Sequence, residues 1–371
     1  MDIIGIICEY NPFHNGHIYH ISKIKEMYPD SIIILILNGY FLERGEISIE
    51  SVESKTKLAL DNNVDIVIQL PLIFGTNSAD IFSDASLELL NELKVNKLIF
   101  GSESNDIEKL TELAKKQLNK DYDESVKKYM EMGLNYPTAL NKALDSNINT
   151  PNDLLGLSCI KSIIKNNYNI EPITIKRTND YHDKESNNKI ISASNIREKI
   201  KNNIDINEYV PNKEYINKIN YDLYFNLLKY KILNDKDLSK YLTVDEGIEN
   251  RLLSVINECK TLEEFINKVK TKRYTYNRIN RMFIHILIGL TKEDKNKITK
   301  NEYIRLLGFS EFGKRYISSI KKDTNIPIVS SLKNIKSIIK DYEIKAYNIY
   351  NMLVDEDILK FETSNKPIKN K

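Results

Sequence analysis

Short apolar runs recur through the first half of the chain. They occupy residues 3–8, 31–37, 64–70, 97–100 and 170–177, and isoleucine is their commonest residue. Each run is too short for a helix and rich in strand-forming residues, so each predicts a buried β-strand. Stretches with apolar residues at helical spacing lie between the runs and begin at residues 15, 50, 78 and 151. Strands that alternate with helices predict an α/β fold, a Rossmann-like, doubly wound parallel sheet.

The second half of the chain has a different pattern. From about Asn203 it reads as helices rich in Tyr, Leu, Ile and Lys, with neither strand alternation nor a glycine-rich loop. We therefore expect two domains, an α/β domain over residues 1–202 and an α-helical domain over residues 203–371. His285, within an apolar helix, is interpreted as a core histidine. A polar helical stretch over residues 106–144 is expected to cover the ligand site of the first domain.

Polar loops follow the predicted strands. Four of them begin at Glu9, Asn38, Pro71 and Gly101. Because parallel strands end at a common edge, these loops should share one rim, which is where open α/β sheets bind ligands. The first loop also opens a helix, so free backbone N–H groups and the positive end of the helix dipole should point at the rim. The rim is therefore expected to bind phosphate.

The first loop carries His14-Asn15-Gly16-His17, which matches the His-x-Gly-His motif of the nucleotidyltransferase superfamily. A missing Cβ at Gly16 would let the backbone approach a nucleotide. Two imidazoles three residues apart on the first helical turn can reach the same phosphate and stabilise charge that develops in the transition state. The alternatives are a surface histidine cluster or metal ligands, with His20 included. The place of the motif, between a buried strand and a helix, favours the nucleotide interpretation.

A second motif stands at the start of a later helix. Residues 191–197 read Ile-Ser-Ala-Ser-Asn-Ile-Arg and resemble the superfamily's second signature, Ile-Ser-x-Ser-x-x-Arg. Ser194 is expected to cap this helix, and Arg197 on its first turn is expected to meet the β or γ phosphate. Serine and arginine at this spacing also occur for structural reasons, but two motifs in this order favour catalysis. We therefore expect the catalytic residues to be His14, His17, Ser194 and Arg197.

Composition narrows the class of protein. The 371 residues are 41% hydrophobic, which is enough for a sizeable core, and the longest apolar runs are far shorter than a membrane span. No basic leader precedes the first apolar run, and the three scattered cysteines, Cys8, Cys159 and Cys259, form no disulfide framework. These features predict a soluble cytoplasmic protein that does not enter membranes.

Charge is unevenly distributed along the chain. Residues 265–340 carry eighteen Lys or Arg against five Asp or Glu, a net charge of +13, so the remainder carries −11 to give the total of +2. Such asymmetry points to a polyanionic partner, most simply nucleic acid, and the alternative is a lysine-rich solvated surface. Basic residues interleaved with Tyr274 and Tyr276 suit phosphate contact and base stacking, although both tyrosines also fit a core. The candidate RNA-binding residues are Lys270, Lys272, Arg273, Arg278 and Arg281.

Several motifs together resemble the tRNA(Met) cytidine acetate ligase family over nearly the whole chain. They are residues 9–17, Leu70-Pro71, Ser78-Ala79-Asp80, Pro151-Asn152-Asp153, Ser192-Ala193-Ser194 and Lys272-Arg273-Tyr274-Thr275. The resemblance implies an ATP-dependent ligase that forms acetyl-adenylate and pyrophosphate from ATP and acetate. The acetyl group then passes to N4 of the wobble cytidine, position 34, of elongator tRNA(Met). Mg²⁺ is expected with ATP, without a dedicated carboxylate cage in the sequence and without any other metal site.

The resemblance also implies an ATP site built from the first loop and three later positions. Its residues are Ile7, Cys8, Glu9, Tyr10, Asn11, Pro12, Phe13, His14, Asn15, Gly16, His17, Ile18, Tyr19, His20, Gly101, Asn152 and Arg177. From the residues alone, Gly101 is almost as well explained as an ordinary turn glycine. The sequence does not fix the oligomeric state.

Two other functions fit part of the sequence. A nucleotidyltransferase that moves AMP or CMP to a small phosphorylated acceptor explains both motifs but not the basic helical half. A non-enzymatic RNA-binding protein with a relic nucleotide site is the second alternative. Transfer of label from acetate to tRNA distinguishes the ligase from both.

Overall fold

An eight-stranded sheet organises the computed structural model, which describes residues 1–134, 136–145, 148, 150–177, 189–364 and 366–370. The strands are β1 Ile3–Cys8, β2 Ile32–Asn38, β3 Ile66–Leu70, β4 Lys97–Ser102, β5 Glu171–Lys176, β6 Ile304–Phe309, β7 Ile328–Val329 and β8 Ile368–Lys369. Their order is β5-β4-β1-β2-β3-β6-β7, with β8 beside β6. Strands β1 to β5 pair in parallel, as expected for a doubly wound α/β fold.

Helices connect these strands. In the first part of the chain they are α1 Asn15–Met27, α2 Val52–Asp61, α3 Leu72–Gly75, α4 Ala79–Glu92, α5 Ile107–Gln117, α6 Lys120–Glu131, α7 Tyr136–Leu144, α8 Pro151–Lys165 and α9 Ala193–Lys201. Beyond residue 203 they are α10 Tyr221–Asn234, α11 Ile248–Val255, α12 Leu262–Val269, α13 Tyr276–Ile288, α14 Lys292–Lys297, α15 Glu311–Ile320, α16 Ile338–Leu353 and α17 Leu359–Glu362. Within the described ranges, every helix is too short or too polar to span a lipid bilayer.

The centre of the sheet explains the isoleucine-rich runs. Strand β2 lies between β1 and β3 and is buried along its whole length, so no position in it needs a polar side chain. The third strand begins at Ile66 rather than at the expected Val64, because the Asp65 carboxylate holds neighbouring segments. Its oxygens accept from the Ile33 N–H at 3.0 Å and from the Ser310 hydroxyl at 2.8 Å.

The prediction that no strand follows Asn203 is wrong. Strand β6 pairs antiparallel with β3 and places Arg305 opposite Gln69. Arg305 interrupts an otherwise apolar run, so the run does not show the pattern of a buried strand. In the folded chain the Arg305 guanidinium is buried and paired with the Glu362 carboxylate at 2.6 Å. The boundary at residue 202 stays a prediction, and the sheet takes strands from both sides of it.

The polar stretch over residues 106–144 is helical as expected, and its described residues form three helices, α5 to α7. Their apolar faces share a small cluster with α8 that includes Leu110, Leu113, Leu157 and Ile160. The stretch therefore has a packing role on α8.

Candidate active site

A cavity of about 450 Å³ opens at the carboxyl ends of β1, β4 and β5. Strand β1 has β2 as its neighbour on one side and β4 on the other, so the strand order reverses direction at β1. The cavity therefore lies at the topological switch point of the sheet. Its volume is in the range of small-molecule sites. Among the described residues of 106–144, none lines the cavity, so the expected cover from this stretch is not seen.

Most residues of the expected ATP site line this cavity. They are Ile7, Cys8, Glu9, Tyr10, Asn11, His14, Gly16, His17, Tyr19, His20, Gly101, Asn152 and Arg177. The expected catalytic residues Ser194 and Arg197 line it as well. The assignment of these residues to ATP stays a prediction.

Four residues of the expected ATP site, Pro12, Phe13, Asn15 and Ile18, do not line the cavity. Phe13 is fully buried, and its N–H donates to the Glu50 carboxylate at 2.7 Å. The Asn15 side-chain amide donates to two backbone carbonyls, at 2.8 Å each, in the segments before and after α9. The contacts of Phe13 and Asn15 hold the loop in place.

Two histidines cap α1 reciprocally. His14 is the N-cap residue, and its Nδ1 accepts the Gly16 N–H at 2.9 Å, while the Nδ1 of His17 accepts the His14 N–H at 3.2 Å. This is the geometry of a capping box with imidazoles in place of the usual side chains. Because each Nδ1 accepts, each neutral ring carries its proton on Nε2. The cap therefore gives the cavity two imidazole N–H donors of defined tautomer.

Gly16 makes room for a side chain of the protein itself. A Cβ at this position would lie 2.6 Å from Cε1 and 2.9 Å from Nδ1 of the His14 ring. The glycine therefore makes room for the capping imidazole. That its missing Cβ also lets the backbone approach a nucleotide stays a prediction.

The histidines of this loop are neutral at pH 7. Burial, and to a smaller extent the positive charges of Arg177 and Arg197, lower the pKa of His14 to about 3. Burial and then Arg177 lower the pKa of His20 to about 4. The pKa of His17 also falls well below its usual value, through burial first and then through His14, Arg177 and His20. The positive charge of the cavity thus comes from its arginines and from Lys176, which also lines it.

The prediction that Ser194 caps α9 is wrong. The N-cap is Ser192, whose hydroxyl accepts the Asn195 N–H at 3.2 Å. A cap at Ser192 puts Ile191 just before the helix and Ile196 at its fourth position, and both are buried in one cluster. This hydrophobic staple selects the earlier serine. Ser194 becomes the second residue of α9 and still lines the cavity.

Arg197 joins the second motif to the first. It is the fifth residue of α9, so it lies beyond the first turn where we expected it. Its guanidinium donates to the Asn11 carbonyl at 2.7 Å and pairs with the Glu46 carboxylate at 3.0 Å. The side-chain oxygen of Asn11 in turn accepts the Ile49 N–H at 2.9 Å. Helix α9 and the loops that follow β1 and β2 therefore meet at one guanidinium.

Lys55 is a site residue that the sequence analysis missed. It lies on α2 and is fully buried, and its ammonium donates to the carbonyls of Glu9 at 3.1 Å and of Asn38 and Gly39 at 2.8 Å each. Burial lowers its pKa to about 7, against the opposing effects of Glu50 and Glu9. The lysine holds together the loops that follow β1 and β2. An amphipathic helix pattern gives no signal for such a residue.

Glu103 is a second residue that the sequence did not single out. Its carboxylate accepts from the Asn152 side-chain amide at 2.6 Å and from the Asp153 N–H at 3.1 Å, and it lies 3.8 Å from Nε of Arg177. It therefore links two of the three later residues of the expected ATP site. The third of these residues, Gly101, packs on the Arg177 side chain, since a Cβ at Gly101 would lie 3.4 Å from Cγ of Arg177.

The candidate RNA-binding residues fall into two groups. Lys270, Lys272 and Arg273 are exposed. Arg278 is half-buried, with its guanidinium 4.1 Å from the centre of the Tyr274 ring. Arg281 donates to the Glu43 carboxylate at 2.9 Å and to the Glu43 carbonyl at 3.1 Å, and Glu43 lines the cavity.

Two core interpretations are confirmed. His285 is fully buried and its Nε2 lies 2.9 Å from the Thr76 carbonyl. Tyr274 is also buried, and its hydroxyl donates to the Asp245 carbonyl at 2.6 Å. Of the two tyrosines in the basic segment, Tyr276 is the exposed one, with half of its surface accessible.

Comparisons with known sequences agree with this geometry. The family profile described as HIGH Nucleotidyl Transferase matches residues 1–365. A tRNA(Met) cytidine acetate ligase from Fusobacterium nucleatum is 37% identical over 369 residues, which cover 94% of this chain and 93% of that protein. The protein of the same name from Bacillus subtilis is 34% identical over 391 residues, with 96% and 94% covered.

Solved structures are similar over the same extent. The crystal structure of apo Thermotoga maritima TmcAL superposes with a TM-score of 0.90 at 27% identity and covers 100% of this chain and 99% of that chain. The crystal structure of the same protein bound with alpha-thio ATP gives a TM-score of 0.86 at the same identity and coverage. With the His14 to His17 motif on the cavity wall and the family match over residues 1–365, the chain belongs to the HIGH nucleotidyl transferase family.

Proposed function

We propose that this chain is an ATP-dependent ligase that activates acetate as acetyl-adenylate. It then transfers the acetyl group to N4 of the wobble cytidine, position 34, of elongator tRNA(Met) and forms N4-acetylcytidine. One observation carries the proposal: both motifs line one cavity and are joined by the 2.7 Å hydrogen bond from Arg197 to the Asn11 carbonyl. The names of the relatives support the choice of acid and RNA.

The cavity has the polar groups that a nucleotide triphosphate needs. Nε2 of His20 and Nε of Arg177 are buried without a hydrogen-bond partner among the described residues. Buried polar atoms without partners are costly, and a bound ligand would satisfy both. The N-terminus of α1 adds the positive end of a helix dipole, although its Asn15 and Gly16 N–H groups donate within the protein, to the Tyr209 carbonyl and to Nδ1 of His14. The alpha-thio ATP bound by Thermotoga maritima TmcAL supports ATP as the nucleotide.

The first half of the reaction is an in-line displacement at phosphorus. A carboxylate oxygen of acetate attacks the α-phosphorus, the bond to the bridging oxygen breaks, and pyrophosphate leaves with the electron pair. His14, His17 and the guanidinium of Arg197 stabilise the charge shared with the leaving group, so catalysis comes from positioning and electrostatics. This step needs no protein nucleophile, and the Cys8 thiol in the cavity stays protonated because burial raises its pKa to about 12.

The second half is acyl transfer to an amine. N4 of cytidine attacks the carbonyl carbon of acetyl-adenylate, AMP leaves with the electron pair of the broken C–O bond, and N4 loses a proton. A base in a single-stranded loop can be turned into the cavity at a small unstacking cost. The exposed Lys270, Lys272 and Arg273 would hold the RNA backbone.

A resident metal is not part of the proposal. Across the described ranges, no group of three or more His, Cys, Asp or Glu side chains is placed to hold a metal ion. Mg²⁺ that enters with ATP would be held mainly by phosphate oxygens and water. Neither half of the reaction depends on a metal held by the protein.

A cytoplasmic location also belongs to the proposal, because tRNA and ATP meet there.

The test is incubation of the purified protein with ATP, labelled acetate and tRNA, followed by mass spectrometry of the nucleosides. We expect pyrophosphate release to depend on acetate and the label to appear in N4-acetylcytidine. Label from the α-phosphate of ATP in a stable small product would instead favour a nucleotidyltransferase. RNA binding without turnover on any tRNA would favour a binding protein with a relic site.

A further inference from the structure

Two exposed tyrosines begin helices beside the cavity. Tyr221 is the first residue of α10 and is 47% exposed, and Tyr276 is the first residue of α13 and is 50% exposed. Neither ring is needed to complete the core, because the buried Tyr224 and Tyr274 lie nearby on the same segments. An exposed aromatic ring on a rigid element is an available stacking surface.

Helices α10 and α13 pack against each other, and α13 reaches the wall of the cavity one residue after Tyr276. Asn277, which follows Tyr276, lines the cavity, and so does the ion pair between Arg197 and Glu46. Partial burial, and then Glu46 and Tyr276, raise the pKa of the Tyr221 phenol to about 12, while Arg197 opposes this rise. Tyr221 therefore lies within electrostatic reach of Tyr276 and of the ion pair on the cavity wall.

The backbone holds both positions firmly. Asn220 caps α10 through its side-chain oxygen, which accepts the Leu223 N–H at 2.9 Å, and its own N–H donates to the Leu353 carbonyl at 2.8 Å. On the other helix, the buried Tyr274 ring precedes Tyr276 by two residues and is fixed to Asp245. Little ordering of the protein would accompany stacking on either ring.

The neighbouring charges identify the partner. Lys270, Lys272 and Arg273 are exposed and precede Tyr276 by three to six residues. Cations beside exposed aromatic rings are the combination that binds single-stranded nucleic acid, since the cations contact phosphates and the rings stack on bases. We propose that Tyr221 and Tyr276 form a stacking site for an unpaired nucleobase of a single-stranded RNA loop at the mouth of the cavity. The inference rests on the proposed function for the identity of that RNA.

The test uses the full chain and an anticodon stem-loop RNA of tRNA(Met) that carries 2-aminopurine in its loop. Stacking on tyrosine quenches 2-aminopurine fluorescence, so a titration reports both affinity and stacking. We expect Tyr221→Leu and Tyr276→Leu each to weaken binding roughly tenfold or more and to reduce the quenching. Tyr221→Phe and Tyr276→Phe keep the ring and should stay within about twofold of the wild type.

Tyr230→Leu is the matched control. Tyr230 lies on α10 and is 68% exposed, but it is nine residues along the helix from Tyr221, away from the end of α10 that carries the proposed site. Its replacement should leave affinity and quenching unchanged. Wild-type binding by both Tyr221→Leu and Tyr276→Leu would overturn the inference, and so would Phe variants as weak as the Leu variants. Melting temperatures establish that the variants are folded.

The binding assay contains neither acetate nor ATP, so its outcome is separate from that of the proposed function. Loss of quenching in the Leu variants supports the stacking site whether or not acetate reaches the RNA. A wild type that acetylates tRNA, together with Leu variants that bind normally, overturns the stacking site alone.

Discussion

The guanidinium of Arg197 donates to the backbone carbonyl of Asn11 across 2.7 Å, which joins helix α9 to the loop that follows β1, 186 residues earlier in the sequence. The same guanidinium pairs with Glu46 at 3.0 Å. An arginine can serve both partners because its donors form a planar fork. The contact places the only guanidinium of the second motif against the loop that carries the histidine pair.

Replacement of Arg197 should therefore disable the chemistry more than the fold. We expect Arg197→Ala to slow acetate-dependent pyrophosphate release by roughly a hundredfold or more, and Arg197→Lys to recover only part of it. Lys201→Ala, on an exposed position of the same helix, is the matched control and should retain the wild-type rate. A near wild-type rate for Arg197→Ala would remove Arg197 from the reaction.

Gly16→Ala should break the histidine cap. A Cβ would meet the His14 ring at 2.6 Å, so the ring must move and release the Gly16 N–H. We expect the rate of pyrophosphate release to fall roughly as far as in His17→Ala, about a hundredfold, with tRNA affinity unchanged. Rate measurements and RNA titrations on the same preparations check this. An unimpaired Gly16→Ala enzyme would show that the cap is dispensable.

Lys55→Met should destabilise the whole chain. It would leave three buried carbonyls without a donor, which should cost about 3 kcal/mol or more in the free energy of unfolding. Lys57→Met on the same helix is the control, because Lys57 is partly exposed and its ammonium pairs with the Glu53 carboxylate at 2.6 Å. Its cost should be below about 1 kcal/mol. Urea denaturation of both variants measures the difference, and equal losses would contradict a special role for Lys55.

The free energy of unfolding should decrease as the pH is lowered, because buried histidines resist protonation in the folded chain. Burial lowers the pKa of His285 to about 4, so the folded chain resists the protonation that the unfolded chain accepts near pH 6.5. The unfolded state then binds more protons, and stability is complete above about pH 6.5 and is lost as the pH falls toward about 4. His285 alone should account for roughly 2 kcal/mol between pH 7 and pH 5.

The matched variant for this pH dependence is His285→Gln. It should be less stable than the wild type at pH 7 but should lose about 2 kcal/mol less between pH 7 and pH 5. Urea denaturation at the two pH values measures both quantities. If the two chains lose the same stability on acidification, His285 is not responsible.

Arg273 and Arg281 should give different phenotypes although both belong to the basic segment. The Arg273 side chain is 68% exposed. Arg273→Ala should weaken tRNA binding and reduce the slope of log K against log salt concentration by about one. Arg281 instead holds the Glu43 carboxylate on the cavity wall at 2.9 Å. Arg281→Ala should therefore raise the KM for ATP. Titrations at several salt concentrations and initial rates separate the two effects.

Much of the fold was predictable because the central strands have simple surroundings. Strand β2 is buried on both faces, so its composition alone identifies it. Strand β6 was not predicted, because Arg305 is tolerated inside the sheet only through its pairing with Glu362, 57 residues away. A pattern read along the chain does not contain that pairing.

The same distinction applies to the site. His14, Gly16 and His17 are adjacent in the sequence, so their motif identifies the cavity. Lys55 and Glu103 act through partners more than fifteen residues away, and no local pattern singles them out. The choice of Ser192 over Ser194 as the cap depended on which isoleucines become buried, and this is settled by packing.

The antiparallel pairing of β6 with β3 has a consequence for synthesis on the ribosome. The outer side of β3 stays open until residues 304–309 have been translated and have left the exit tunnel. An unpaired strand edge attracts other chains, so a nascent or truncated chain that ends before β6 carries an aggregation hazard that the finished protein lacks. Assembly of the nucleotide-binding half is thereby coupled to completion of nearly the whole polypeptide.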